Sequence, residues 1–314
     1  QCFGSDGQEK KMKITILGAG AMGSLYGALL SQKEDVTLMD VNAELIDHMN
    51  QNGLKCLEKD GTEVVYPVKA AMTGTDIGVQ DLVIVFVKGI FTKDVVEQNM
   101  ALIDEHTIVM TLQNGAGNNR DIAQFVAKDN ILVGTSSHNS VIKGKGIFYH
   151  SGQGPTNIGP DVQNDENLKK AEKVADVLNS CGFETHVIAD IQRVLWQKLF
   201  VNCGINGLSM VTENKIGEIY SNSHLWEICK KIVKECVKVA AADGTVFKED
   251  EALETVKKVC INDATGLASM YQDRLNHRKT EIDRINGVIV ELAHGYGIST
   301  PYNEMLVKLV HGVE

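Results

Sequence analysis

The sequence lacks two features: a long apolar run and an excess of positive charge. Its apolar stretch Leu-Val-Ile-Val-Phe-Val at residues 82–87 has the length of a strand, whereas a membrane helix needs about 18 residues or more. The net charge of −10 would repel the phosphates of a nucleic acid. These two absences argue against a membrane protein and against a nucleic-acid-binding protein.

Cysteine-based scaffolds and metal motifs are also missing. The seven cysteines are an odd number and include no Cys-x-x-Cys pair or Cys/His cluster, which is typical of reduced thiols. Residues 1–11 lack the apolar core of a signal peptide, and Met12 is predicted as the natural start. The sequence therefore predicts a cytoplasmic protein without a metal centre.

The composition is that of a globular protein, and the apolar residues follow a different pattern in each half of the chain. Of the 314 residues, 43% are hydrophobic, enough to build a substantial core in two domains. In residues 12–190, short apolar runs alternate with helical stretches, which predicts a mainly parallel sheet. Strands are predicted at residues 13–17, 35–40, 81–87, 107–112 and 130–136. The glycine-rich stretch 141–159 is predicted to hold antiparallel strands at the sheet edge, and residues 191–314 read as a helical domain.

Three glycines mark the turn after the first strand, in Lys-Ile-Thr-Ile-Leu-Gly-Ala-Gly-Ala-Met-Gly. They fit G-x-G-x-x-G, in which the glycines permit a tight turn, the approach of a pyrophosphate and close helix–strand packing. The predicted dinucleotide-binding residues are Gly18, Ala19, Gly20, Ala21, Met22 and Gly23. The alternative is a loop that is merely rich in glycine. With its flanking strand and helix, the motif predicts a Rossmann-type domain at residues 12–190.

Asp40 closes the second predicted strand, about 20 residues after the glycine turn. An acidic side chain there accepts hydrogen bonds from a ribose 2′-hydroxyl and repels a 2′-phosphate. No Arg or Lys follows in Val-Asn-Ala-Glu-Leu-Ile-Asp-His-Met, so NAD(H) is favoured, with NADP(H) as the second choice. The alternative is that Asp40 caps the following helix, a role that Asn42 could also fill.

Polar residues follow two further strands. Lys88 ends the third strand and Asn114 follows the fourth. Ligands of open α/β sheets collect at the carboxyl ends of the strands, so both residues are predicted cofactor contacts. The alternatives are a solvated lysine for Lys88 and a simple Asn-Gly turn for Asn114.

A polar stripe crosses an otherwise apolar helix in the second half. Lys198, Asn202 and Asn206 are four residues apart and share one helix face. Burial lowers the pKa of a lysine and suits it to proton transfer. The alternative is a lysine with a buried stem and a solvated ammonium, beside two asparagines that satisfy backbone groups.

Ser269 and Glu281 form the last candidate pair. In one continuous helix they would stand about 18 Å apart, too far to share a small ligand. Thr280-x-x-Asp283 resembles a capping pattern, which predicts a new helix from Thr280 after a break at residues 276–279. The alternative for Glu281 is a first-turn acid that stabilises the helix dipole.

With these motifs in order, the chain resembles the ketopantoate reductase (2-dehydropantoate 2-reductase) family over residues 12–314. The matching segments are ITILGAGAMGSLYG, VKGIFT, LQNGAGN, GKGIFYHSGQG, LWQKLFVNCGING and SMYQDRLNHRKTEIDRINGV. The resemblance implies a Rossmann-type α/β domain followed by an all-helical C-terminal domain. It also implies reduction of the 2-keto acid ketopantoate to pantoate, on the route to pantothenate and coenzyme A.

The resemblance also assigns roles by motif position. Lys198 corresponds to the general acid and Glu281 to a substrate-binding acid. Ser269, Asn202 and Asn206 correspond to substrate contacts. Lys88 and Asn114 correspond to polar positions on the cofactor side of the family's active site.

Two departures from the family pattern keep alternatives open. Many members carry a basic residue after the second strand and use NADPH, whereas this chain has Asp40-Val41. Ile216 stands where the family has a further asparagine. An NAD-dependent D-2-hydroxyacid dehydrogenase of the same superfamily is therefore an alternative, as is a non-catalytic dinucleotide sensor. The long amphipathic helices after Ser223 are candidates for a homodimer face.

Overall fold

The protein is described by a computed structural model over residues 10–314. Of the segment 1–11 that precedes Met12, residues 1–9 lie outside the described residues. The chain forms two compact units. The first contains the described residues up to Val87 together with Phe91–Gln113 and Asn119–Ala189, and the second contains Lys88–Ile90, Asn114–Asn118 and Asp190–Glu314.

The first unit holds all the strands of the described chain. They are β1 (Lys13–Leu17), β2 (Asp35–Met39), β3 (Leu54–Glu58), β4 (Glu63–Tyr66), β5 (Lys69–Ala71), β6 (Leu82–Val85), β7 (Ile108–Thr111), β8 (Ile131–Ser136), β9 (Asn139–Gly144), β10 (Ile147–Gly152), β11 (Thr156–Pro160) and β12 (Thr185–Val187).

The α-helices divide between the units. Those that begin before residue 190 are α1 (Ala21–Leu30), α2 (Ala43–Asn52), α3 (Thr92–Gln98), α4 (Asn118–Ile122) and α5 (Asp165–Ser180). Those of the second unit are α6 (Ile191–Thr212), α7 (Ile216–Ser221), α8 (Ser223–Ala242), α9 (Glu249–Asn262), α10 (Ser269–Leu275), α11 (Asn286–Tyr296) and α12 (Pro301–Val313).

An eight-stranded, mainly parallel sheet forms the centre of the first unit. Its strand order is β12-β11-β8-β7-β6-β1-β2-β5. The central strands β6 and β7 are buried along their whole length, because a parallel sheet is covered on both faces and its strands read as continuous apolar runs. All five predicted strands are present, and the predicted mainly parallel α/β architecture is confirmed.

The glycine-rich stretch 141–159 differs in part from its predicted role. Its strands β9 and β10 pair antiparallel with each other but belong to a second, four-stranded sheet of order β4-β3-β10-β9. Only β11 joins the main sheet, where it runs antiparallel to β8. The prediction of antiparallel strands at the sheet edge is therefore confirmed for β11. It was wrong for β9 and β10, because β10 pairs with β3, which is distant in sequence.

The second unit is helical, as predicted. Helix α6 contacts α8, α9, α10 and α12, and two small residues allow this packing. A Cβ at Gly204 would meet the Cys229 Sγ at 2.9 Å, and one at Gly207 would meet Leu306 at 2.8 Å. Within residues 10–314, no helix has both the length and the apolar character needed to cross a membrane.

Candidate active site

Two of the three glycines between β1 and α1 are required by packing. Gly18 has φ +103°, and a Cβ there would lie 2.8 Å from the Val87 nitrogen. A Cβ at Gly23 would lie 1.8 Å from the Gly18 carbonyl oxygen, so any larger residue would force the helix away from the turn. These two positions fulfil the predicted roles of tight turn and close helix–strand contact.

Gly20 is glycine for a different reason. It precedes α1 as the N-cap in an extended conformation and makes no side-chain cap hydrogen bond. A Cβ at this position would meet no atom within 4 Å, and the residue is exposed. The protein's own packing therefore does not demand glycine here, and the helix N-terminus is open to an anionic ligand.

Asp40 is fixed beside this turn. Its Oδ2 accepts a hydrogen bond from the Ala19 N–H at 3.1 Å, and its Oδ1 accepts one from the Asn42 N–H at 3.0 Å. Asn42, rather than Asp40, caps α2, because its side chain accepts a hydrogen bond from the Leu45 N–H. The capping alternative for Asp40 is therefore wrong. The next residue, Val41, is 85% exposed.

The polar stripe of the second unit lies on α6 as predicted. Lys198 and Asn202 are partly buried and Asn206 is buried. The Asn206 Nδ2 lies 3.5 Å from the Ser269 Oγ at the start of α10. The stripe and Ser269 therefore meet on one side of α6.

The chain between Ser269 and Glu281 breaks as predicted, but the next helix starts later. Helix α10 ends at Leu275, a short 3-10 helix covers Ile282–Arg284, and α11 begins at Asn286. The predicted helix start at Thr280 was wrong, because the Thr280 hydroxyl and N–H both donate to Glu314. Glu281 is therefore not a first-turn acid of an α-helix.

Lys88 and its neighbour approach the Glu281 segment within the second unit. The Lys88 Nζ donates a hydrogen bond to the Lys279 carbonyl oxygen at 2.9 Å. The Gly89 backbone N–H lowers the pKa of the Glu281 carboxylate. Lys88 is exposed and makes this contact at the surface, so the alternative of a solvated lysine stays open beside the predicted cofactor contact.

Lys198 and Glu281 influence each other's ionisation. Burial lowers the pKa of Lys198, and the negative charge of Glu281 partly opposes this effect. Burial raises the pKa of Glu281, the charge of Lys88 opposes the rise, and the carboxylate of Asp273 adds to it. The Gly89 N–H and Lys198 also favour the ionised form of Glu281. The site thus holds an ammonium that releases its proton more readily than an exposed lysine.

Asn114 lies in a loop that docks on Arg284. The Ala116 N–H donates to the Arg284 carbonyl oxygen at 3.1 Å. Gly115 has φ +81°, and a Cβ there would lie 2.2 Å from the same oxygen. The Asn114-Gly115 turn therefore also packs against the backbone of Arg284.

Asp273 is a charged residue of this site that the sequence interpretation missed. Its Oδ1 pairs with the Arg278 Nε at 3.0 Å. Burial raises the pKa of Asp273, while Arg278 and then Lys88 oppose the rise. Its spacing of four residues from Ser269 on α10 was the available signal, since such residues share a helix face. Among residues 10–314, no group of three or more His, Cys, Asp or Glu residues is arranged to hold a metal ion.

Comparison with known proteins identifies the family. Residues 14–163 match the family model described as ketopantoate reductase PanE/ApbA, and residues 190–314 match its C-terminal counterpart. A 2-dehydropantoate 2-reductase of Halobacterium salinarum is 32% identical over 95% of this chain and 98% of its own. The chain therefore belongs to the ketopantoate reductase family.

Solved structures of similar proteins share this fold. A D-mandelate dehydrogenase solved with NADH and anilino(oxo)acetate has a TM-score of 0.87 and 32% identity, over 96% of this chain and 98% of its own. A putative 2-dehydropantoate 2-reductase of Enterococcus faecalis has a TM-score of 0.79 and 31% identity, with the same coverage of both chains. The two neighbours differ in their stated substrates, so the fold alone does not separate those activities.

Proposed function

We propose that this protein is a 2-dehydropantoate 2-reductase that reduces the C2 ketone of ketopantoate to give pantoate. The curated relatives support this proposal through their similarity over nearly the whole chain. The observation that carries it is that a buried lysine, Lys198, and a buried carboxylate, Glu281, lie near enough in the second unit for each charge to shift the pKa of the other. In this proposal the first unit binds the dinucleotide and the second binds the keto acid.

The first unit suits a dinucleotide cofactor. Gly20 leaves open space at the N-terminus of α1, where backbone N–H groups favour a pyrophosphate. Ala19, Ala21 and Met22 complete this turn, and Asp40 stands beside it for the adenosine ribose. In the second unit, Lys88 and Asn114 are proposed to contact the cofactor. When bound, a nicotinamide dinucleotide would supply the hydride.

Lys198 is the proposed general acid. Negative charge develops on the carbonyl oxygen of a 2-keto acid as a hydride adds to its carbon. An ammonium within hydrogen-bond reach would stabilise that oxygen and donate a proton to it. Burial lowers the pKa of Lys198, and the charge of Glu281 opposes this effect, so the group would be charged when substrate binds and ready to give up a proton.

The neighbouring polar groups are proposed to orient the substrate. Ser269 and Asn206 already meet, and with Asn202 they would bind the carboxylate and the ketone oxygen. Glu281 would accept a hydrogen bond from the 4-hydroxyl of ketopantoate. A carboxylate beside a purely apolar tail would lose hydration without gaining a partner, which favours a substrate that carries a hydroxyl.

A D-2-hydroxyacid dehydrogenase is the second candidate function. Two observations favour it: the similarity to a D-mandelate dehydrogenase solved with NADH, and the acidic Asp40 beside the glycine turn. Asp40 also leads us to propose that NADH is preferred over NADPH. A non-catalytic sensor would have no use for the proton donor Lys198.

The deciding experiment compares kcat/KM for ketopantoate, 2-ketoisovalerate and phenylglyoxylate, each with NADH and with NADPH. The highest value for ketopantoate supports the reductase, and the highest value for phenylglyoxylate supports the dehydrogenase. A folded protein that binds dinucleotide but turns over none of the three would contradict both enzyme assignments.

A further inference from the structure

Glu281 lies in a short irregular segment between two helices, so its position depends on what fixes its neighbours. Helix α10 ends at Leu275 and α11 begins at Asn286. Residues 276–279 are exposed, and His277 has φ +51°. The backbone N–H of Gly89 lowers the pKa of the Glu281 carboxylate. A side chain in such a segment needs further anchoring to meet a ligand reproducibly.

The residue before Glu281 is anchored by Glu314. The Glu314 Oε1 accepts a hydrogen bond from the Thr280 N–H at 3.0 Å and another from the Thr280 hydroxyl. The Thr280 hydroxyl oxygen also accepts from the Ile282 N–H at 3.4 Å. The backbone on both sides of Glu281 is thereby tied to one carboxylate.

The residue Asp283, two positions after Glu281, is anchored through His311. The His311 Nε2 lies 2.9 Å from the Asp283 Oδ1, and the His311 Nδ1 lies 3.0 Å from the Glu314 Oε2. Both ring nitrogens therefore face carboxylate oxygens, an arrangement that only the doubly protonated imidazolium can satisfy. We call Thr280, Asp283, His311 and Glu314 the C-terminal clamp.

We propose that His311 and Glu314 are positioning residues, which hold Glu281 in place for the substrate hydroxyl and release it when His311 loses its proton. This proposal rests on the proposed function for the role of Glu281. A neutral imidazole donates only one hydrogen bond, and its bare nitrogen would face the other carboxylate. The segment would then loosen, and substrate affinity would fall while the proton donor Lys198 stays intact.

The charges around the clamp set the direction of the pH dependence. Hydrogen bonds to Asp283 and then to Glu314 raise the pKa of His311 above its ordinary value. Burial raises the pKa of Glu314, but its hydrogen bonds with Thr280 and His311 outweigh this, and the net shift is downward. A raised histidine pKa means that the clamp is complete at low pH and is lost as the pH rises through that pKa.

The variant that tests the clamp is His311→Gln, with His311→Arg as its rescue. Arginine stays charged and offers several donors to two carboxylates at every working pH. The matched control is His294→Gln, which removes another histidine–carboxylate pair, between His294 of α11 and Glu304 of α12. His294 belongs to the last turn of α11, whereas Glu281 lies before that helix begins.

The first measurement is amide hydrogen exchange of peptides covering residues 276–290, in the protein without ligands, from pH 5.5 to 9. With rates corrected for intrinsic pH dependence, exchange in the wild-type protein should accelerate above the His311 pKa. His311→Gln should exchange fast at every pH, and His311→Arg should exchange slowly at every pH. Equal exchange in all variants and controls would overturn the clamp.

The second measurement is the KM for ketopantoate over the same pH range. His311→Gln should raise KM roughly tenfold at low pH, the effect of about one lost charged hydrogen bond, with kcat within about twofold. In His311→Arg, KM should stay low over the whole range, including at high pH. Unchanged KM in His311→Gln despite fast exchange would overturn the positioning role but leave the proposed function standing. If the wild-type protein reduces no 2-keto acid, the proposed function fails, and hydrogen exchange alone then decides whether the clamp exists.

Discussion

The side-chain amide of Asn206 and the hydroxyl of Ser269 lie 3.5 Å apart, although 63 residues separate them in the chain. This contact joins the polar stripe of α6 to the first turn of α10. It places Ser269 on the side of α6 that also carries Lys198 and Asn202, since residues four apart share a helix face. The proposed substrate contacts therefore come from two helices that pack directly on each other.

Replacing Lys198, the proposed general acid, should slow catalysis and leave dinucleotide binding unchanged. We expect Lys198→Ala to lower kcat by roughly 10²–10⁴, the usual contribution of general acid–base catalysis. The dissociation constant for the dinucleotide should be unchanged, because the glycine turn belongs to the other unit. The surface variant Lys231→Ala serves as the control. A folded Lys198→Ala protein with wild-type kcat would remove this residue from the mechanism.

The same lysine predicts the pH dependence of reduction. The reaction needs the ammonium form, so kcat/KM for keto acid reduction should fall as the pH rises through the Lys198 pKa. Burial lowers that pKa, so the fall should begin below the range of an exposed lysine. Oxidation of the hydroxy acid needs the neutral amine and should show the opposite slope. Parallel slopes in the two directions would contradict the assignment.

Glu281 should discriminate between substrates. A hydrogen bond to a charged group contributes about 1.5–3 kcal/mol, and 2-ketoisovalerate lacks the hydroxyl that would make it. We expect Glu281→Ala to lose far more kcat/KM on ketopantoate than on 2-ketoisovalerate, with dinucleotide affinity nearly unchanged. Glu291→Ala, at an exposed position of α11, is the matched control. An equal loss on both substrates would withdraw the case for ketopantoate.

Asp40 should set the cofactor preference. Its carboxylate would repel the 2′-phosphate of NADPH, so the wild-type protein should have a higher kcat/KM with NADH. Asp40→Asn keeps a side-chain oxygen for the Ala19 N–H and removes the charge, so it should narrow the preference with little loss of stability. Asp40→Arg should narrow or reverse it. Equal or better kcat/KM with NADPH in the wild-type protein would defeat this interpretation.

The two glycines at the start of α1 should respond differently to alanine. Gly20→Ala meets no protein atom within 4 Å and should change the free energy of unfolding by less than about 1 kcal/mol, because the entropy lost by the unfolded chain offsets the poorer N-cap that alanine makes. It should still weaken dinucleotide binding, measured by calorimetry. Gly23→Ala meets the Gly18 carbonyl and should lower the melting temperature, since overpacking costs about 1–3 kcal/mol or more. Full dinucleotide affinity in Gly20→Ala would show that this turn does not bind the pyrophosphate.

Local patterns predicted the elements that depend on nearby residues. The apolar runs located β1 and β2 to within one residue of their ends, because buried parallel strands are continuous in sequence. The polar stripe of α6 was visible because helical spacing alone puts its three residues on one face. The sequence could therefore nominate Lys198 without knowledge of its surroundings.

Features that depend on distant partners could not be predicted in this way. The Thr280-x-x-Asp283 pattern suggested a helix start, but Thr280 donates to Glu314, and Asp283 pairs with His311. The second sheet requires β10 to pair with β3, which no local pattern encodes. Asp273 escaped notice because its role comes from charges brought near it by folding.

The helical unit is assembled from three separate stretches of the chain, of which Lys88–Ile90 and Asn114–Asn118 are made first during synthesis. The Gly89 N–H lowers the pKa of Glu281, and the Ala116 N–H donates a hydrogen bond to the Arg284 carbonyl oxygen, so both carboxyl-terminal residues depend on contacts from residues translated long before them. A gene fragment that starts at residue 190 would encode every helix of this unit but neither of those contacts. The helices from α6 onward are therefore unsuited to transfer into another protein by themselves. They would carry Lys198 and Glu281 without Gly89, whose N–H lowers the pKa of the Glu281 carboxylate.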